Sequence, residues 1–324
     1  MNRTHFWSFQ FLSILFVANM ACARSDRAVV SLPSREDPVR SDPLPGLIPP
    51  AGMEELSIVS HGDRMNGLIY SAGGTAPNPV VMFLHGYPGN ERNLDLAQVV
   101  RRAGHHALYI DYRGAWGSGG TFSFANSLED VAAILAWVRS PENVAKYHFD
   151  AARIALVGHS SGGWLALLTG GHESPEVCVA ALAAWNAGWA AKRFAAHADE
   201  RKEYSDFFIQ TTDVGGPMRA TATALMNEVT VHASDWDYLE QTSALKNHSV
   251  LLVAGTRDSA DSGIDRHKDL ANSIRRAGGN SVQVVTFEDD HSFSSNRVAL
   301  ADTLVNWLRN DCARSQTKGR SSKN

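Results

Sequence analysis

Short runs of apolar and β-branched residues recur along the middle of the chain at 56–60, 67–71, 80–84, 107–110, 154–157, 177–183, 250–254 and 282–287, bounded by Gly, Asp or Pro. Several are apolar at nearly every position. Strands with one wet face alternate instead, so these runs predict strands covered on both faces. Between them, 93–102, 127–139, 161–169, 265–277 and 296–308 carry apolar residues at i, i+3 and i+4, the pattern of helices with one buried face. Alternating strand and helix units predict an α/β fold: a mostly parallel eight-stranded sheet with helices on both faces and right-handed crossovers. Ligands of such sheets bind beyond the carboxyl ends of the strands, so chemistry is expected in the loops that follow them.

The alternation breaks once, at about 186–247. There Trp189, Phe194, Tyr204, Phe207, Phe208, Met218, Met226, Trp236 and Tyr238 recur at loosely helical spacing, just after Trp185. The pattern predicts a helical cap inserted over the strand ends. Most of its aromatics are expected to fill the cap's own core and a few to line a pocket.

The ends read differently from residues 53–312. Residues 1–23 have Arg3, a short apolar run over 11–21 and small residues at Ala21 and Ala23. A mostly apolar run of 11 residues is too short to span a bilayer, and the arrangement predicts a signal peptide cleaved after Ala23. The alternative is a lipoprotein signal with Cys22 lipidated, the one route by which a membrane partner is expected. Residues 24–52 hold six of the chain's 12 prolines and predict an extended linker. Residues 313–324 predict a frayed basic tail.

Composition narrows the class. With 44% hydrophobic and 20% charged residues, a wholly disordered chain and a coiled coil are excluded. The net charge of −4 lacks the basic excess of a nucleic-acid binder. Three cysteines cannot build a disulfide scaffold. Cys178 and Cys312 remain after cleavage. Export would let them pair, but Cys178 reads as a buried strand residue, so two free thiols are an equal expectation.

One pentapeptide carries chemistry. Gly158-His159-Ser160-Ser161-Gly162 joins a predicted strand to a predicted helix. A sharp turn there strains the central residue and needs glycine on either side, so Ser160 would stand at the top of the sheet. A serine hydroxyl needs an imidazole to take its proton, and the imidazole needs a carboxylate to hold its tautomer. His291 follows the predicted strand 282–287. Asp258 follows 250–254, with Asp261 in the same loop as the alternative acid. Asp289 and Asp290 read as solvated loop acids, and Asp111 with Arg113 as a charged pair shaping a loop. No cofactor or metal is expected, because Gly117–Gly120 lacks a phosphate-binding lysine and the histidines lack ligand spacing.

Four motifs in order are similar to the α/β-hydrolase fold family, within it to dienelactone-hydrolase-like and prolyl-oligopeptidase-like catalytic domains. They are His85-Gly86-Tyr87-Pro88-Gly89, Asp111-Tyr112-Arg113-Gly114, the elbow at Ser160, and the pair Gly255-Thr256-Arg257-Asp258 and Asp290-His291-Ser292-Phe293. The resemblance covers roughly 54–310. It implies a serine nucleophile, Ser160, with Asp258 and His291 as acid and base, and an oxyanion hole from the backbone N–H groups of Tyr87 and Ser161. It implies acyl transfer to water from a small-molecule ester. A peptide substrate is the alternative, and an acyltransferase or a non-catalytic binding protein are further ones.

Overall fold

In the computed structural model, which describes residues 37–43, 46–212, 215–258 and 262–316, the apolar runs become eight strands. They are β1 (Gly52–Ser60), β2 (Asp63–Ser71), β3 (Asn78–Leu84), β4 (His106–Ile110), β5 (Phe149–His159), β6 (Cys178–Leu182), β7 (Val250–Gly255) and β8 (Val282–Phe287). They form one sheet in the order β1-β2-β4-β3-β5-β6-β7-β8. β1 and β2 run antiparallel to their neighbours, and every pairing from β4 through β8 is parallel.

Successive side chains of a strand point to opposite faces, and here both faces are covered. Val80, Met82 and Leu84 of β3 enter one core while Val81 and Phe83 enter the other. The first core is closed by α2 (Phe124–Arg139), α4 (Ser161–Gly171) and α9 (Ile264–Arg276). The second is closed by α1 (Leu94–Arg102) and α10 (Arg297–Trp307). Edge strand β1 alternates instead, with Leu56 and Ile58 buried and Ser57 and Val59 exposed.

Some boundaries need more than periodicity. The pattern starts α2 at 127, but the helix begins at Phe124. Ser123 caps it by accepting from Asn126 N–H at 2.9 Å. The Glu228 carboxylate accepts from the N–H groups of Phe124 and Ala125 at 2.8 and 3.1 Å, from far along the chain. A short helix, α3 (Pro141–Tyr147), was not expected, although Ser140 as cap and Pro141 in the first turn are a local start signal.

Between β6 and β7 the chain forms α5 (Ala187–Ala196), α6 (Ala198–Thr211), α7 (Ala222–Val231) and α8 (Thr242–Leu245), the helical cap. Met218, Leu225, Met226, Trp236 and Tyr238 bury in the core beneath it.

Cys178 and Cys312 form a disulfide with Cα atoms 5.7 Å apart, the first of the two alternatives the sequence left open. Cys178 is indeed buried in a strand. Its side chain faces the core closed by α10, and a π-helical turn after α10, Leu308–Cys312, brings the partner to it. A separation of 134 residues hides such a contact from the sequence.

Residues 1–23, read as a signal peptide, lie with Cys22 outside the described residues. The proline-rich stretch read as a linker is partly docked: Pro38 is buried, its carbonyl accepts from Arg102 Nε at 2.6 Å, and Arg40 reaches Asp302 at 2.9 Å. At the other end, Gln316 is buried and donates to the carbonyl of Ile154 at 3.3 Å, so the first residues of the basic tail are held.

Candidate active site

β5 ends at His159 and α4 begins at Ser161, leaving Ser160 alone at the turn with φ 57° and ψ −123°. A positive φ on a residue with a side chain costs energy and persists only where packing enforces it. The enforcement is visible in the glycines. A Cβ on Gly158 would overlap the carbonyl of Gly162, and one on Gly162 would overlap the carbonyl of Leu84. The Ser160 turn therefore presses directly on the end of β3. The N-terminus of α4 points its N–H groups at the same place, a field that favours negative charge.

The other two candidates converge here. The Asp258 carboxylate sits against His291, its oxygens 2.9 and 3.0 Å from Nδ1. A carboxylate accepts, so Nδ1 carries a proton. Asp258 is 1% exposed and His291 is 40% exposed, so the acid is sealed while the imidazole reaches the cavity. His291 and Ser160 line that same cavity. Asp261, the alternative acid, lies outside the described residues.

Two neighbours of His291 were not singled out from the sequence. Ser262 Oγ lies 3.2 Å from Nδ1 and also lines the cavity. His159 packs its ring 4.7 Å from the His291 ring and donates from Nε2 to the His291 carbonyl at 2.8 Å. Burial pushes His159 down to about 3, so it is neutral and its proton stays on the donating nitrogen. The G-x-S-x-G pattern leaves the residue before serine unspecified, which is why this role was not legible.

Two sequence readings are corrected by the loops. Asp289 is not a solvated acid. It is fully buried and accepts from Ser295 N–H at 3.0 Å and Asn296 Nδ2 at 2.8 Å. Burial raises its carboxyl, yet these bonds hold it below the usual carboxylate range. The neighbouring backbone is laced to the acid loop, with Arg257 N–H donating to the Asp289 carbonyl at 2.8 Å. Asp290, partly exposed, accepts from the N–H groups of Ser292 and Ser294 at 3.0 Å each. Nor do Asp111 and Arg113 pair. Arg113 instead reaches α2, where it binds Asp130 at 2.5 Å and Glu129 at 2.6 Å. Asp111 stays behind, accepts from the Tyr109 hydroxyl at 2.8 Å, and lies 3.8 Å from His85 Nε2.

The loop after β3 carries the second oxyanion candidate. A Cβ on Gly86 would stand 2.7 Å from Ser160 Cβ, so this backbone lies against Ser160 and leaves no room for a side chain. Tyr87 follows at once. His85 shapes the loop by sharing Nδ1 with the Gly86 carbonyl at 2.7 Å, and burial pushes it down to about 4. Ser161 heads α4 on the other side of Ser160.

Above these groups lies a cavity of about 500 Å³, within the range of small-molecule sites. Trp189, Tyr204, Phe207 and Phe208 of the cap line it, with Trp185 just before the cap and Tyr87 and Phe124 from the sheet side. Phe194, Met218, Met226, Trp236 and Tyr238 fill the core instead. Arg193 and Glu200, an ion pair between α5 and α6, complete part of the wall. Among the described residues no group of three or more His, Cys, Asp or Glu is placed to hold a metal ion.

Solved structures share this architecture. Est1E from Butyrivibrio proteoclasticus with bound ferulic acid superposes at a TM-score of 0.59 with 16% identity, covering 80% of this chain and 99% of that one. The Pyrococcus furiosus esterase Pf2001 gives 0.58 at 16% identity, over 81% of this chain and 92% of its own. A putative dienelactone hydrolase from Klebsiella pneumoniae gives 0.54 at 16% identity, over 81% and 99%. At such identities the likeness is one of fold. No curated protein matches the chain. Residues 81–303, well over half of the sequence and spanning β3 into α10, match the model of the alpha/beta hydrolase family. The chain belongs to the alpha/beta hydrolase family.

Proposed function

We propose that the protein is a serine hydrolase acting on small carboxylic esters through Ser160, His291 and Asp258. The observation that carries this reading is the Asp258–His291 Nδ1 bond, with His291 and Ser160 on the wall of one cavity. His291 Nε2 takes the proton of Ser160 as Oγ attacks the ester carbonyl. The oxyanion that forms accepts from the N–H groups of Ser161 and Tyr87, each donor contributing about 3 kcal/mol to the transition state. Collapse expels the alcohol, which takes the proton from His291. Water, deprotonated by the same imidazole, then releases the acid. Asp258 holds Nδ1–H and stabilises the imidazolium without itself taking the proton.

An ester is favoured over a peptide by the cavity. Its aromatic walls suit a compact apolar group. The ester-cleaving names of structural neighbours point the same way. Export, through cleavage after Ala23, is supported by the Cys178–Cys312 disulfide, since such bonds persist in oxidising compartments. Mass spectrometry of the mature N-terminus tests that part, separating Arg24 as first residue from a lipidated Cys22.

The hydrolase reading is tested by fluorophosphonate labelling of the folded protein beside Ser160→Ala, with an ester panel in parallel. The expected result is labelling and ester cleavage that both vanish in the variant. A folded wild type that neither labels nor cleaves any ester would refute it.

A further inference from the structure

The oxyanion candidate Tyr87 is tied to the cap by its own side chain. Its hydroxyl lies 2.5 Å from Oγ1 of Thr211, the last residue of α6. The direction of that bond follows from counting protons. Thr211 Oγ1 is 3.0 and 3.1 Å from the carbonyls of Phe207 and Phe208, so its one hydrogen goes to its own helix. Its lone pairs then face Tyr87, and the phenol donates. The phenolic hydrogen is thereby spent on the cap.

The rings reinforce this tie. Phe207 and Phe208 meet the Tyr87 ring edge-on, with centroids 5.7 and 5.2 Å away. Both phenylalanines also line the cavity, so a group bound there touches the same turn of α6 that holds Tyr87. On its other side the Tyr87 backbone follows Gly86, which is pressed against Ser160. One residue thus spans from the substrate-sensing wall of the cap to the nucleophile.

We propose that Thr211 is a positioning residue: through the Tyr87 hydroxyl, the C-terminus of α6 sets the place of the backbone N–H that stabilises the transition state. The inference rests on the serine-hydrolase reading of Ser160. Its consequence is that the cap acts on turnover as well as on selectivity. A loosened Tyr87 still admits substrate, since the cavity walls remain, but its donor is less well aimed.

The test is steady-state kinetics on one short-chain ester for wild type, Thr211→Val, Thr211→Ser, Tyr87→Phe and the Thr211→Val/Tyr87→Phe double variant. Fluorophosphonate labelling of each protein runs beside it. Thr211→Val keeps the shape and removes the acceptor. Tyr87→Phe keeps the ring and removes the donor. Each is expected to lower kcat about tenfold with KM within about twofold, less than the loss on deleting an oxyanion donor outright. The double variant is expected to be no slower than either single one, because both remove one bond. Thr211→Ser, which keeps the hydroxyl, is expected to recover most of the rate. If Thr211→Val does not fold, Tyr87→Phe carries the same kcat-against-KM reading. A reactive Ser160 with unchanged kcat in the variants, a loss confined to KM, additive losses, or no recovery in Thr211→Ser would overturn this inference alone. A wild-type Ser160 that reacts with neither probe nor ester would overturn the hydrolase reading and this inference with it.

Discussion

Ser160 is held at a positive φ because Gly158 and Gly162 cannot carry side chains, and Gly86 meets it for the same steric reason. Such crowding makes the neighbourhood sensitive to a single methyl. Gly86→Ala must push the loop off Ser160 Cβ, and we expect kcat to fall about 10- to 100-fold while the thermal midpoint changes little, because a 1 Å misplacement at a reacting centre costs rates of that order. Kinetics beside a melting curve check this, and a variant as fast as wild type would show that the loop yields freely. Asp258→Asn tests the acid differently. It keeps size and burial but presents an amide to Nδ1, favouring the wrong imidazole tautomer, so kcat should drop about 10⁴-fold with KM nearly unchanged. A loss under tenfold would remove Asp258 from its role. The residues behind these predictions differ in legibility. Ser160 and His291 stand in motifs whose chemistry reads along the chain. His159 and Ser262 matter through contacts with His291, and nothing in their sequence neighbourhood points across to it.

At the scale of elements, the strands were readable because burial on both faces leaves so few residue types to use. The helices followed from their one apolar stripe. Their ends were not, where capping comes from elsewhere, as Glu228 of α7 does for α2. The disulfide is the strongest such link. It ties β6 to the turn after α10 across 134 residues. Closing a loop of that size removes much freedom from the unfolded chain, and native bridges are typically worth 2–5 kcal/mol, so Cys312→Ser should lower the unfolding free energy by about that amount. Urea unfolding without reductant measures it. An unchanged midpoint would mean that the C-terminal turn contributes nothing to the cooperative unit. Activity should survive in the folded fraction, since the bridge sits in the core closed by α10, away from the cavity residues.

At the scale of the whole molecule, the fold buries five histidines of the described residues in environments that disfavour their charged form. Burial pushes His85, His105, His106 and His267 down to about 4, and His159 to about 3. In the unfolded chain each would titrate near 6.5. Below that pH the unfolded state binds protons that the folded state refuses until about pH 4, so stability falls as pH falls through this window. Each such histidine adds about 1.4 kcal/mol per pH unit to the slope. Asp111, raised by burial, acts in the opposite sense as a single group. Urea midpoints from pH 7 to 4.5 should therefore decline steadily, and a flat profile would mean that these rings are hydrated or charged in the native state. What the chain reveals before folding is whatever neighbours in sequence decide: the αβ alternation, the strained serine turn, the order of the serine, acid and base motifs, and the cap as a break in rhythm. These depend on backbone periodicity and on chemistry within a few residues. The cysteine pairing, the true partners of Arg113 and Asp289, the choice of aromatics that line the cavity and the Tyr87–Thr211 bond depend on distances through space. Packing sets those distances between elements dozens to hundreds of residues apart, and one-dimensional spacing carries no measure of them.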